Sequence, residues 1–271
     1  MYEAFPPYNR LGHVSLYDDH EPSSMAMLSP GVLFVGLTNG GFELFDITSD
    51  SIKPQYSINN HIKIPHAGQI YSIAIDMLPV QPGEANPEIA LATFTGLYFG
   101  TISEPNIEGA FGRKKTWTTT QVFLKEKMIS QICQFSPGKY LIAEYSKPGY
   151  YILDRQASKE DPKYEPTKLL DRRTEHNNGC TNLVKFPLYD PNKMPYILSR
   201  NRYKIDLIDI KNLSIYPILS DTNTSSMTQK MVADTAKSEI LGHKVMIYFN
   251  SQQQGRVMRC TEIDSVVLKS L

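Results

Sequence analysis

Hydrophobic residues in this chain fall in short runs that alternate with polar positions, and long stretches with helical spacing are absent. Residues 31–47, GVLFVGLTNGGFELFDI, set the pattern. Residues 32–37 are rich in branched side chains and too short for a stable helix, and Phe42, Leu44 and Ile47 resume the apolar series after Thr38-Asn39-Gly40-Gly41. Asn-Gly and Gly-Gly steps tolerate the positive φ angles of tight hairpin turns, so the stretch predicts two antiparallel strands. Asp46 ends the second strand, where its side chain can cap the following turn.

The arrangement recurs at residues 88–102, 139–155, 194–210 and 244–263, with turns at Thr95-Gly96, at Lys147-Pro148-Gly149, near Asn201 and around Gln254-Gly255. Asp46, Thr101, Asp154, Asp209 and Glu262 hold equivalent places about 53 to 55 residues apart, a period that marks a solenoid or a propeller. An apolar run precedes each hairpin, at 24–28, 69–76, 128–135, 180–186 and 231–236. Of these, 69–76 reads as a strand buried on both faces. Outer strands are predicted at 55–58, 116–124 and 213–219, and residues 237–241 suggest a turn of helix. Each unit thus reads as inner strand, hairpin and outer strand.

The expected fold class is all-β: a β-propeller of about five four-stranded blades, either a closed five-bladed ring or part of a larger, roughly seven-bladed one. Residues 1–11 form an N-terminal arm and 12–271 the propeller domain. Residues 13–17 and 265–271 are the candidate strands for closing a ring. A four-stranded blade cannot cover its own faces; neighbouring blades bury them at roughly 25 cal/mol per Å² of apolar surface.

Composition narrows the function classes. The chain has 271 residues, 28 basic and 28 acidic, which removes the usual footprint of a nucleic-acid binder. Sixteen tyrosines and 18 prolines suit strands and turns. Cys133, Cys180 and Cys260 are far apart and form no CxxC pair, so neither a zinc site nor a disulfide framework is indicated. Reduced thiols point to the cytoplasm or another reducing intracellular compartment. The N-terminus lacks the basic and apolar regions of a secretory signal, and no apolar run is long enough to span a bilayer.

His66-Ala67-Gly68 ahead of residues 72–75, and the hairpin ending Phe45-Asp46-Ile47, resemble parts of a WD40 repeat. That repeat carries a Gly-His step before its inner strand and Trp-Asp at the end of its third. The Asp stands at Asp46, Asp154 and Asp209, is replaced at Thr101 and Glu262, and is never preceded by Trp. Gly96-Leu97-Tyr98 also resembles the glycine-turn hairpins of citron-homology propellers. The resemblance implies a scaffold that binds other proteins, with no catalytic residues to carry over.

Candidate chemistry is sparse. Asp18-Asp19-His20-Glu21 carries metal-ligating types, but adjacent residues rarely converge on one ion. Asp76 and Asp234 end two inner strands and offer the carboxylate pair of a five-bladed glycoside hydrolase, if they face one another across a pocket. No nucleophile elbow, P-loop or Rossmann glycine pattern is present. Arg113, Lys114 and Trp117 form a small basic and aromatic run able to touch phosphate. Binding residues collect on loops of rigid scaffolds, which directs attention to 78–87, 103–115 and 156–168. The expected binding set is Gln81, Glu84, Asn106, Arg113, Lys114, Trp117, Lys159 and Tyr164. The expected partners are other proteins, without membrane insertion, nucleic acid, small-molecule substrate, cofactor or metal. The alternatives are the hydrolase and a structural subunit of a large assembly.

Overall fold

Every predicted hairpin is present, and each is extended into an antiparallel sheet. The computed structural model describes residues 16, 20–29, 32–46, 53–54, 62–75, 87–103, 116–145, 149–169, 180, 182–185, 196–200, 204–220, 232–238, 242–251 and 257–264. The first sheet has β1 (Pro22–Ser29), β2 (Val32–Leu37), β3 (Gly41–Asp46) and β4 (Lys53–Pro54) in order, with β5 (Ile62–Lys63) also on β3. The second has β6 (Ile70–Ile75), β7 (Ile89–Thr93), β8 (Leu97–Ser103) and β9 (Thr116–Phe123). The third has β10 (Ile129–Ser136), β11 (Lys139–Glu144) and β12 (Tyr150–Asp154); helix α1 (Arg155–Glu160) follows, and β13 (Thr167–Leu169) completes the sheet. The fourth has β14 (Asn182–Lys185), β15 (Tyr196–Arg200), β16 (Lys204–Asp209) and β17 (Ser214–Ser220). The fifth has β18 (Val232–Ser238), β19 (Gly242–Ser251) and β20 (Val257–Asp264). Strand order follows chain order along the main path of every sheet.

Side-chain alternation then stacks the sheets. In β7, Ile89 and Leu91 join Phe34, Phe42 and Leu44 of the first sheet. Their neighbours Ala90 and Ala92 point the other way, into a cluster with Tyr140, Ile142 and Leu153 of the third sheet. Leu141 and Ala143 in turn meet Leu183, Ile197 and Ile208 of the fourth. The first four sheets are therefore layered face to face, each sharing an apolar layer with the next. The first strands of successive sheets also touch in series, β1 to β6, β6 to β10, β10 to β14 and β14 to β18. This is the serial, inner-edge-to-inner-edge packing of propeller blades.

A recurring clasp fixes one end of the sheets. The N–H of the residue after the second strand donates to the carbonyl of the residue before the first: Thr38 to Glu21 (3.1 Å), Phe94 to Gln69 (3.0 Å) and Tyr145 to Met128 (2.8 Å). Glycine is required where the turns of adjacent sheets meet. Gly40 has φ +82°, and a Cβ there would lie 2.6 Å from the carbonyl oxygen of Gly68. Asn39 supports the turn by accepting from the Gly41 N–H at 2.9 Å. This end, which carries the hairpin turns and the approaches to the first strands, is called the turn end; the opposite end is the loop end.

Three expectations are corrected. Strand β6 packs on both faces but is covered less fully than expected: Ile70 is buried, and Ile73 and Ala74 meet the clusters on opposite sides of the sheet, while 71–75 keep partial exposure. Residues 156–168 are polar and mostly exposed, as expected, but are not irregular loop throughout: they hold most of α1 and the start of β13. Residues 237–238 continue β18 instead of starting a helix. The proposed arm at 1–11 and the ring-closing segments 13–17 and 265–271 lie outside the described residues, apart from Leu16.

Candidate functional site

The turn end presents aromatic side chains to solvent. Phe94 and Tyr145 occupy the clasp position of the second and third sheets and are 50% and 47% exposed. Their backbones are pinned by the clasp, so the side chains project from fixed points. Tyr71 sits at the register shift between Ile70 and Ser72 in the β6–β7 pair. Its ring lies nearly parallel to that of Tyr145, with centroids 6.3 Å apart and planes 12° apart. Burial, and then the neighbouring Tyr145, raise the pKa of Tyr71.

The residues adjoining the aromatics in sequence carry satisfied polar groups. Thr95 Oγ1 donates to the His66 carbonyl at 2.6 Å and lies 3.0 Å from the Tyr98 hydroxyl. One sheet further on, Lys127 Nζ donates to the Tyr151 hydroxyl at 2.7 Å, and Tyr151 donates to Glu144 Oε2 at 2.9 Å. The hydrogen bond to Tyr151 raises the pKa of Lys127 against the opposing effect of burial, and Glu144 adds to the rise. Burial chiefly raises Tyr151 as well. The cation, phenol and buried carboxylate therefore form a proton-rich, internally neutralised chain.

A second polar cluster joins the second and third sheets. Arg155, 3% exposed, donates from Nε and Nη2 to the two oxygens of Glu88 at 2.7 and 2.6 Å. Its Nη1 reaches Ser158 Oγ at 2.9 Å and also Gln121 Oε1, and its guanidinium lies 4.8 Å from the centroid of Phe99. Burial opposes ionisation of Glu88, but Arg155, Thr120 and Lys159 overcome it and hold its pKa below the usual value.

The residues expected to bind are dispersed. Gln81, Glu84, Asn106, Arg113 and Lys114 lie outside the described residues. Trp117 is on β9, where its ring meets Phe42 edge-on at 5.9 Å and its Nε1 donates to Thr119 Oγ1 at 2.8 Å. Tyr164 accepts from the Asp154 N–H at 2.8 Å and packs edge-on to Phe123 at 6.4 Å. Trp117 and Tyr164 thus pack on opposite faces of the second sheet. Lys159 is exposed on α1, 4.0 Å from Glu88. Asp76 is outside the described residues, and of Asp234 the structure describes the backbone in β18, paired with Met246. Among the described residues no three His, Cys, Asp or Glu side chains gather as a metal site. No helix among them is long and apolar enough to cross a membrane. Cys133 and Cys180 form no disulfide among the described residues.

Sequence reasoning missed Phe94, Tyr145 and Tyr71. The available signal was alignment of the second and third hairpins, which puts an aromatic immediately before each turn.

No family model matches the chain, and no curated relative does. Solved structures do share the fold. A protein of Bacteroides thetaiotaomicron provisionally described as a phosphatase aligns with TM-score 0.54 and 12% identity, over 89% of this chain and 59% of that one. The crystal structure of a mitotic checkpoint complex gives 0.50 and 11%, over 91% of this chain and 65% of the other. The extracellular domain of a provisionally described hybrid two-component system from B. thetaiotaomicron gives 0.50 and 11%, over 90% and 29%. The chain spans less than two thirds of each of these neighbours, and at such identities the likeness concerns the fold alone.

Proposed function

We propose that this chain is a non-catalytic, propeller-type scaffold that holds protein partners inside a reducing compartment of the cell. The observation that carries the reading is the set of exposed aromatics on clasped turns at the turn end. Aromatic side chains with low conformational entropy are the usual anchors of protein interfaces. Lys127, Tyr151 and buried Glu144, next to Tyr145 in the third sheet, are bonded to one another, as suits a rigid platform. One fold neighbour, solved as a mitotic checkpoint complex, agrees with a role in assembly. The ring is proposed to hold five blades, closed on itself or continued in a larger propeller. Gln81, Glu84, Asn106, Arg113, Lys114, Trp117, Lys159 and Tyr164 are proposed as further contact residues.

Affinity capture from the native cell, compared across surface variants, tests this. Phe94→Ala with Tyr145→Ala at the turn end, or an alanine block over residues 78–87 and 103–115, is expected to remove a captured partner. The melting temperature should stay within a few degrees of the parent. If both sets retain every partner, the scaffold reading fails.

A further inference from the structure

We propose that strand β9 pairs antiparallel with β9 of a second copy of this chain, joining the second sheets of two molecules into one continuous sheet. β9 ends the second sheet, so the N–H and C=O groups of its alternate residues point away from β8. Among the described residues none of these outward backbone groups has a protein partner. Such a row is a template for another strand, and sheets ordinarily blunt it with a short strand, a proline or a charge. The other sheets of this molecule do so. β4 has two residues, one of them Pro54, and β13 has three, one of them Lys168. β17 has Pro217 within it, and β20, the last described strand of the fifth sheet, carries Arg259, Glu262 and Asp264. β9 runs for eight residues, TWTTTQVF, with no proline and no charge. Thr116 and residues 118–120 are exposed, and β-branched residues suit strand pairing.

The strand itself selects a second copy as its occupant. Charge on an edge strand repels its like across a two-fold axis, and β9 has none. The whole chain, with 28 basic and 28 acidic residues, carries no net charge to hold copies apart. A strongly charged foreign strand would find no counter-charge on β9. The register follows from a bulge. Thr119 lies opposite Gly100 and Gln121 opposite Phe99, which leaves Thr120 as the extra residue that bends a strand. The regular stretch is therefore 116–119. Opposed residues of an antiparallel pair share a face, so a two-fold axis must set one residue directly against its own copy. Placed at Thr118, the axis sets Thr118 against Thr118 of the second copy and Trp117 against Thr119, and threonines facing one another add to the pairing. Thr118 is exposed, whereas Trp117, the alternative centre, packs against Phe42 and donates from Nε1 to Thr119. The basic run Arg113-Lys114-Lys115, just ahead of β9 in sequence, falls at opposite ends of the paired strands and does not meet its copy.

The test is sedimentation equilibrium of the full chain over a concentration series, with native-state hydrogen exchange on the same samples. A monomer–dimer equilibrium is expected, and amides of β9 should gain protection as concentration rises while those of β17 do not. Thr118→Lys sets two cations against one another and should weaken the dimer about tenfold or more. Thr118→Glu should do the same. Mixing the two variants sets Lys against Glu and is expected to restore the dimer. Thr118 is exposed, so both variants should melt within a few degrees of the parent. The exchange measurement needs no variant and decides the matter even where one of them fails to fold. A parent chain that stays monomeric throughout the series overturns the proposal, as do β9 amides indifferent to concentration. A dimer that both variants keep, or one that each variant loses and the mixture does not regain, overturns it equally.

Discussion

Glu88 and Arg155 show how a single residue joins two sheets. The pair bridges sixty-seven positions of sequence, and both side chains are nearly out of water, at 11% and 4% exposure. Removing one partner of a buried ion pair strands the other charge, at a cost of about 3–5 kcal/mol. Glu88→Gln is therefore expected to lower the unfolding free energy by about 3 kcal/mol, measured by urea denaturation at neutral pH. The pH dependence has a definite sign. The folded-state pKa of Glu88 lies below its unfolded value. The pair's contribution is thus complete above the unfolded carboxylate value of about 4.3 and is lost as pH falls through the lower folded value. The stability gap between parent and variant should narrow steadily in acid and stay constant from pH 6 to 8, where the carboxylate is ionised in both states; a gap that widened in acid would contradict the pairing. Tyr151→Phe deletes the donor that satisfies buried Glu144. It should cost about 1–3 kcal/mol, read from the same denaturation curves.

At the scale of elements, local chemistry decided what the sequence could reveal. The hairpins were legible because period-two apolar runs and Asn-Gly or Gly turns act within a few residues. Helix α1 was not, because RQASKE carries no apolar stripe. It forms because the Asp154 carboxylate accepts from the Gln156 and Ala157 N–H groups, and because Arg155 is drawn inward to Glu88. Lys139 adds an ion pair to the cap at 3.1 Å. Asp154→Ala should cost about 1 kcal/mol, seen as a lower melting temperature, whereas Asp154→Asn, which keeps an accepting oxygen, should recover most of it. Strand β6 misled for a different reason. Its composition matches a strand covered on both faces, and nothing local tells that a first strand keeps one edge without a neighbour in its sheet. The aromatic patch was hidden likewise: Phe94 and Tyr145 read as ordinary strand residues until the clasp places them just beyond the strand ends.

For the molecule as a whole, layering of sheets in chain order means that stability is shared between neighbours. Three apolar layers are each shared by two sheets, so none of the first four sheets keeps its whole core when its neighbour detaches, and the second and third strands of the second and third sheets are covered on both faces. β7 is buried at every position and β11 at all but its first, whereas most of β6 is half-exposed. Opening that exposes only first strands should therefore need far less free energy than opening that exposes β7 or β11. Native-state hydrogen exchange measures this directly: amides of β7, β8 and β11 are expected to exchange through global unfolding, and those of β6 through smaller openings. The same layering predicts how core damage spreads. Phe99 lies in the layer between the second and third sheets, beside Phe123 and Tyr140. Phe99→Ala should cost about 3–5 kcal/mol and raise exchange in β11 and β12, on the far side of the layer, as much as in β7 and β8. Loss of protection confined to the second sheet would mean that the sheets fold independently and that the layered core does not couple them.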